Sequence, residues 1–259
     1  MIYHRGPIRR SEIARSLGLT LPTITTSVNA MIAGGIVRET GLAEGGEGNV
    51  GRRAQLVDIV PESRFFLGAE IRGTERTVCL LDYRGKALTS RRDESDCPDY
   101  EDNITLTCGM TGQLLRESGL SMDSIAGVGV CLPGLIDSAR GVLELWPARG
   151  WRERAVRSDM AQCTGYRGPV SVVNDACARA YGAQLLCRDI VGGAETFAYM
   201  FISDGIACPF VLTRPDYFGY VVGAGELGQT VIDPDGPPCG CGNRGCLEAY
   251  ASDRAVRAA

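Results

Sequence analysis

Three cysteines near the end of the 259-residue chain, Cys239, Cys241 and Cys246, follow the spacing Cys-x-Cys-x4-Cys. Three thiolates this close in sequence suit one tetrahedral zinc ion. The plainer alternative is a reduced, metal-free loop. A second place where chemistry could happen is Asn174-Asp175, directly after the apolar run VSVV. That puts an amide and a carboxylate at the carboxyl end of a predicted strand, where α/β folds gather their ligands. A carboxylate there can accept a hydrogen bond from a hydroxyl or take its proton. A third is a run of small polar residues near the N-terminus, Thr20 to Asn29, which reads as one face of a helix.

Each of these needs elements to position it. For the N-terminal face, Ser11 is the expected cap of a short helix over 12–17, whose apolar residues Ile13, Ala14 and Leu17 share one side. Gly18 should end it in a left-handed conformation. Thr20 should then cap a second helix, with Pro22 in its first turn, where a missing N–H costs little. Ile24, Val28, Met31 and Ile32 form the buried stripe of that helix, and Gly34-Gly35 stop it. Helix, three-residue turn, helix is the shape of a helix-turn-helix, whose second helix lies in the DNA major groove. Its DNA-facing set would be Thr20, Leu21, Thr23, Thr25, Thr26 and Asn29. Two strands, 36–39 and 55–59, then bracket a glycine-rich tip and read as a wing. Arg52 and Arg53 sit where a wing reaches phosphates or the minor groove. No Arg or Lys lies on the second helix, so affinity should lean on the flanking arginines. The plainer reading is a helical hairpin that only packs on the rest.

From about residue 61 the pattern changes. Apolar strands are predicted over 65–71, 77–82, 87–91, 125–132, 170–173 and 196–202, with helices over 99–118 and 176–186. Strands alternating with helices imply an α/β layer fold. Charge divides the same way. Residues 1–60 carry seven arginines against five acids, and the rest carries twenty bases against twenty-six acids. A mildly basic end on an acidic body suits a protein that meets phosphate with one part only. No apolar run approaches the roughly 20 residues that cross a bilayer, and the N-terminal residues show no apolar signal core, so a cytoplasmic protein without a membrane partner is expected. In that compartment a disulfide framework is not expected, and most of the eight scattered cysteines read as small core residues.

Three stretches together with the N-terminal winged helix resemble the ROK family of repressors, uncharacterised reading frames and sugar kinases. They are GVGVCLPGLID (127–137), VVNDACARAYGA (172–183) and GAGELGQTVIDPDGPPCGCGNRGCLEAYAS (223–252). The resemblance implies a winged helix-turn-helix over 1–60. It implies an actin-like, hexokinase-type (ribonuclease H-like) domain over 61–259, shorter at its C-terminus than is usual, with a sugar in the cleft between lobes. In the family's kinases the aspartate matching Asp175 is the general base, and Asn174, Glu226 and Glu248 fall on sugar-binding positions. The family's fourth zinc ligand is a histidine, which also contacts the sugar. Gln229 stands there instead, and the chain's single histidine is His4. The site can therefore hold structural zinc on three cysteines and water, hold it weakly, or be empty, while Gln229 can hydrogen-bond a sugar hydroxyl.

The family's phosphate loops are altered. Its Asp-x-Gly-Gly-Thr loop reads Glu70-Ile71-Arg72-Gly73-Thr74, and its second glycine-rich loop reads Ser203-Asp204-Gly205-Ile206-Ala207-Cys208-Pro209. A bulky side chain, an added acid and a proline in place of an N–H donor oppose phosphate binding. ATP and Mg2+ are therefore not expected. The sequence reads as a sugar-responsive regulator, binding a two-fold operator in double-stranded DNA as a homodimer and sensing a small sugar or sugar-phosphate. An ATP-dependent hexose or N-acetylhexosamine kinase is the alternative. Ala148-Arg149, ahead of Gly150-Trp151, departs from the asparagine common in the family, so the sugar need not be glucose.

Overall fold

The computed structural model describes residues 1–42, 55–72, 74–191, 194, 196–212 and 225–258. Its N-terminal part begins with a short helix α1 (Ile2–Arg5), then β1 (Ile8–Arg9), α2 (Arg10–Leu17), α3 (Leu21–Ala33), β2 (Val37–Leu42) and β3 (Gln55–Ile59). Both β1 and β2 pair antiparallel with β3, in registers that set Ile8 against Val57 and Val37 against Ile59. Ile13, Ala14, Ile24 and Val28 close over Ile8, Val37 and Val57 as one core. Gly18 takes φ 64°, and the Thr20 hydroxyl accepts from Thr23 N at 3.4 Å, as the sequence predicts. Ser11 is not the cap of α2. The chain passes straight from β1 into the helix, which puts Arg9 at the cap and Ser11 inside the first turn. Arg52 and Arg53, between β2 and β3, lie outside the described residues.

The body opens with β4 (Phe65–Ile71), β5 (Arg76–Leu81) and β6 (Ala87–Asp93), followed by α4 (Tyr100–Glu117) and β7 (Ile125–Leu132). A meander of β8 (Leu135–Asp137), β9 (Val142–Trp146) and β10 (Trp151–Arg154) leads to α5 (Val156–Thr164), β11 (Val170–Asn174) and α6 (Asp175–Leu186). Then come α7 (Arg188–Val191), β12 (Thr196–Ala198), β13 (Phe201–Ile202), β14 (Ile206–Ala207), β15 (Phe210–Leu212), α8 (Glu248–Ala251) and α9 (Asp253–Ala258). The main sheet has the order β11-β7-β4-β5-β6. Strands β4, β7 and β11 run parallel, while β5 and β6 return antiparallel. Alternate residues of β4 and β5, among them Leu67, Ala69, Ile71, Val78 and Leu80, join Ile104, Leu114 and Leu115 of α4 and Met160 of α5 in the larger core. Among the described residues, no helix is long and apolar enough to cross a membrane.

Two further expectations need correction. The single strand over 196–202 is two, because β12 pairs with β15 while β13 pairs with β14 in a separate sheet. Cys108 and Cys163 form a disulfide, with Cα atoms 6.2 Å apart. Helices α4 and α5 pack side by side and bring together two residues 55 apart in sequence, a proximity that compartment arguments do not see. Arg76, which the sequence does not single out, is fully buried. Its guanidinium donates to Asp93 at 3.0 Å, to Asn103 Oδ1 at 2.6 Å and to the Ser95 hydroxyl at 2.9 Å, tying β5 to β6 and α4. The Ser95 hydroxyl, then Arg76, hold the Asp93 carboxyl below its ordinary range.

The two cores meet at the turn between β5 and β6. Tyr83 N donates to Pro61 O at 2.9 Å, and the Tyr83 ring stacks on Phe66 and meets the Tyr3 ring edge-on, centroids 6.1 and 6.2 Å away. Arg84 forms an ion pair with Asp58 and donates to Tyr3 O at 3.4 Å. Gly85 has φ +78°, and a Cβ there would stand 2.9 Å from Leu186 Cδ2 and 3.4 Å from Tyr3 Oη. The last residue of α6 thus sits against the turn that holds the N-terminal part.

Candidate effector pocket and metal centre

Asn174 ends β11 and Asp175 begins α6. The Asn174 carbonyl caps the helix, accepting from Ala176 N at 2.9 Å and Cys177 N at 3.3 Å, while its Nδ2 donates to Gly134 O at 3.1 Å. The amide therefore pins the start of α6 to the turn after β7, and a second N–H on Nδ2 remains in its chemistry. Asp175 is 7% exposed. Burial pushes its carboxyl above the ordinary range, opposed by the Ala176 N–H and by the Arg72 and Arg179 guanidinia.

Glu226 precedes a tight turn, Leu227–Gln229. Gly228 allows that turn to lie on β14, since a Cβ there would be 2.3 Å from Ile206 O. Burial, then the negative charges of Glu248 and Asp175, raise Glu226 to about 7. Near neutrality it can both donate and accept, which suits a hydroxyl-rich ligand. Glu248 starts α8, and its Oε2 accepts from Ile206 N at 3.1 Å and from Gln229 Nε2 at 3.2 Å. The fold thus brings Asp175, Glu226, Gln229 and Glu248 together from β11–α6, the turn after residue 225, and α8.

The cysteine cluster adjoins this pocket through Gln229. Cys239 and Cys246 are buried, and the ligand atoms of Cys239, Cys241 and Cys246 lie within 4.8 Å of one another, so the three can hold a metal ion. Cys241 and Cys246 sulfurs are 3.7 Å apart, and Cys239 Sγ is 3.5 Å from Gln229 Oε1. Backbone bonds shape the loop: Cys239 N donates to Asn243 O, Gly242 N to Cys239 O, and Leu247 N to Thr230 O.

On the other side of Asp175 stands a positively charged group. Arg179 forms an ion pair with Glu70, and Arg72 Nε lies 3.8 Å from the same carboxylate. Arg72 also reaches across to the Ser203 hydroxyl at 3.1 Å. Both guanidinia lie over the Phe201 ring, 4.9 Å away for Arg179 and 6.0 Å for Arg72. Sequence reasoning singled out Arg72 but missed Arg179. The available signal was spacing: Asp175 and Arg179 are four apart on one helix and share a face.

On α3, Leu21, Thr23, Thr26 and Asn29 are exposed and Thr25 is half-buried. The hydroxyls of Thr25, Thr26 and Ser27 bond back to the helix carbonyls of Leu21, Pro22 and Thr23. Arg10 contacts both Asn29 and Glu39, at 3.5 and 2.7 Å, so a guanidinium lies beside this face although α3 carries none. Arg10 and the exposed Ser27 are additions to the sequence-predicted set.

The family model described as the ROK family matches residues 66–259. Across 260 residues the chain is 29% identical to the xylose repressor of Bacillus subtilis (strain 168), covering 98% of this chain and 64% of that one. A solved ROK family transcriptional regulator, a homologue of the Escherichia coli Mlc protein, superposes with TM-score 0.77 at 26% identity, over 99% of this chain and 64% of its own. A ROK family glucokinase from Streptomyces griseus, solved with glucose and AMPPNP, aligns with TM-score 0.64 at 26% identity, over 74% of this chain and 58% of its own. The chain thus spans just under two thirds of the first relative's length, and the match to the regulator covers nearly all of this chain where the glucokinase match covers about three quarters. With three motif stretches, the strand order of the main sheet and these matches in agreement, the chain belongs to the ROK family.

Proposed function

We propose that this chain is a sugar-responsive transcription regulator, acting as a repressor, with residues 1–60 as a winged helix-turn-helix and the body as a non-catalytic sensor. The observation that carries the reading is the pairing of an exposed α3 with a pocket whose phosphate side is occupied by side chains. Arg72, Arg179 and Glu70 fill with charge and bulk the region where a kinase would need glycine backbone facing ATP. On the opposite side Asp175, Glu226 and Glu248 offer acceptors for hydroxyls, Asn174 fixes the helix start, and Gln229 lies beside them.

In this reading Thr20, Leu21, Thr23, Thr25, Thr26 and Asn29 face the major groove. Arg52 and Arg53 supply phosphate contacts that set affinity rather than sequence choice. The protein works as a homodimer on a two-fold site in cytoplasmic DNA, and sugar shifts the population of DNA-competent dimers. Zinc on Cys239, Cys241 and Cys246 ties the loop before α8 to the pocket floor, as a structural ion rather than a reactive one. D-xylose is the first sugar to test, given what the matched Bacillus repressor is named for.

The experiment is sequencing of genomic fragments captured by the protein with and without D-xylose, D-glucose and N-acetylglucosamine. A discrete palindromic site whose capture changes with one of these sugars is expected. The second reading, an ATP-dependent sugar kinase, is favoured by the buried Asp175 and by the match to a ROK family glucokinase, and measurable ADP release with any hexose would establish it instead.

A further inference from the structure

Three cysteines leave a tetrahedral metal one ligand short, and the position of a single side chain fills the gap. A zinc ion bound by sulfur at about 2.3 Å and oxygen at about 2.1 Å has an S···S edge of about 3.8 Å and an S···O edge of about 3.6 Å. The Cys241 and Cys246 sulfurs are 3.7 Å apart. Gln229 Oε1 and Cys239 Sγ are 3.5 Å apart. Each is close to the length of one edge, and the three sulfurs lie within 4.8 Å of one another. The amide is also held in the orientation this requires. Its Nε2 donates to Glu248 Oε2 at 3.2 Å, and that oxygen is fixed in turn by Ile206 N at 3.1 Å, so the carbonyl oxygen is left facing Cys239 Sγ.

Building on the reading of the cysteine cluster as a metal site, we propose that the Gln229 carboxamide oxygen is the fourth ligand, and that its amide N–H couples metal occupancy to Glu248 in the sugar pocket. A cation on a carboxamide oxygen withdraws charge from the amide and makes its N–H a stronger donor. Loading the metal therefore tightens the bond to Glu248 and fixes one wall of the pocket. A neutral amide oxygen is also a poorer zinc ligand than an imidazole nitrogen. The ion is consequently held loosely enough to exchange, and pocket shape becomes sensitive to metal supply.

The test uses the full chain, stripped of metal and titrated with Zn2+ against a chromophoric chelator, with Co2+ absorption as a second readout. Gln229→Ala should weaken zinc by about tenfold or more, and Gln229→His should tighten it by a similar factor and shift the Co2+ bands. Amide hydrogen exchange at residues 205–207 should slow on zinc addition in the native chain and not in Gln229→Ala. If Cys246→Ser and the native chain both fail to take up zinc, the metal site itself is wrong and this inference goes with it. If the native chain binds zinc and the Gln229→His affinity and Co2+ spectrum are unchanged, Gln229 is not a ligand, though the cysteine site stands. Altered affinity with unaltered exchange at 205–207 would overturn the coupling to Glu248.

Discussion

The two sides of Asp175 differ in the kind of polar group they carry. One side gathers carboxylates, Glu226 and Glu248, with an amide between Glu248 and the cysteines. The other gathers guanidinia, Arg72 and Arg179, sharing Glu70 and the Phe201 ring. The first offers carboxylate oxygens, which accept from groups that donate hydrogen bonds. The second is tied to the protein itself through Glu70, Ser203 and Phe201. Under the proposed function, the first side would receive the sugar and the second would be the phosphate side of a kinase converted into internal structure.

The largest test of this contrast is Asp175→Ala. Losing a buried, charged acceptor costs about 1.5–3 kcal/mol per hydrogen bond, so sugar affinity should fall by about 100-fold in calorimetry. Affinity for captured DNA fragments should stay within about twofold, and an equal loss in both would mean that Asp175 supports the whole fold rather than the pocket. Next is Glu226→Gln. A carboxyl raised from 4.5 to about 7 favours the folded state fully below its ordinary value and progressively loses that contribution as pH rises through about 7. Glutamine cannot ionise, so the variant should gain on the native chain by about 1–3 kcal/mol between pH 5 and pH 8. A difference in Tm that stays constant over that range would place Glu226 in open water. The smallest effect is expected from Arg72→Gly. Its ion pair and its bond to Ser203 are part-exposed and together contribute about 1 kcal/mol. Sugar affinity should stay within about threefold and no ADP should form from ATP. Turnover in this variant would mean that one side chain alone closes the phosphate side.

Much of this arrangement was legible before any coordinates. Thr20 and Gly18 mark the ends of their helices because capping and left-handed turns depend on neighbours within three or four residues. The bounds of strands β4 and β7 are legible because each is a mostly apolar run, the first ending before Arg72-Gly73 and the second before Pro133-Gly134. What failed were features set by distance in sequence. Ser11 lost its cap to a two-residue strand whose partner, β3, lies some fifty residues on. The Cys108–Cys163 bond depends on how α4 meets α5. Arg76 looks like an ordinary polar residue at the start of a strand, and only the convergence of Asp93, Ser95 and Asn103 makes its burial affordable. At the pocket, the strand-end position pointed to Asp175 and the family resemblance to Glu226 and Glu248, but the Glu70–Arg179 tie crosses 109 residues and has no local signature.

Helix α6 begins at the pocket aspartate and ends with Leu186 against Gly85, in the turn that grips Tyr3 and Asp58. Its twelve residues make a rod of about 18 Å, so a tilt of about 5° at one end sweeps the other through roughly 1.5 Å. In mechanical terms it is a lever arm whose short end is chemical and whose long end is steric, and the absence of a side chain at Gly85 sets how much slack separates the two.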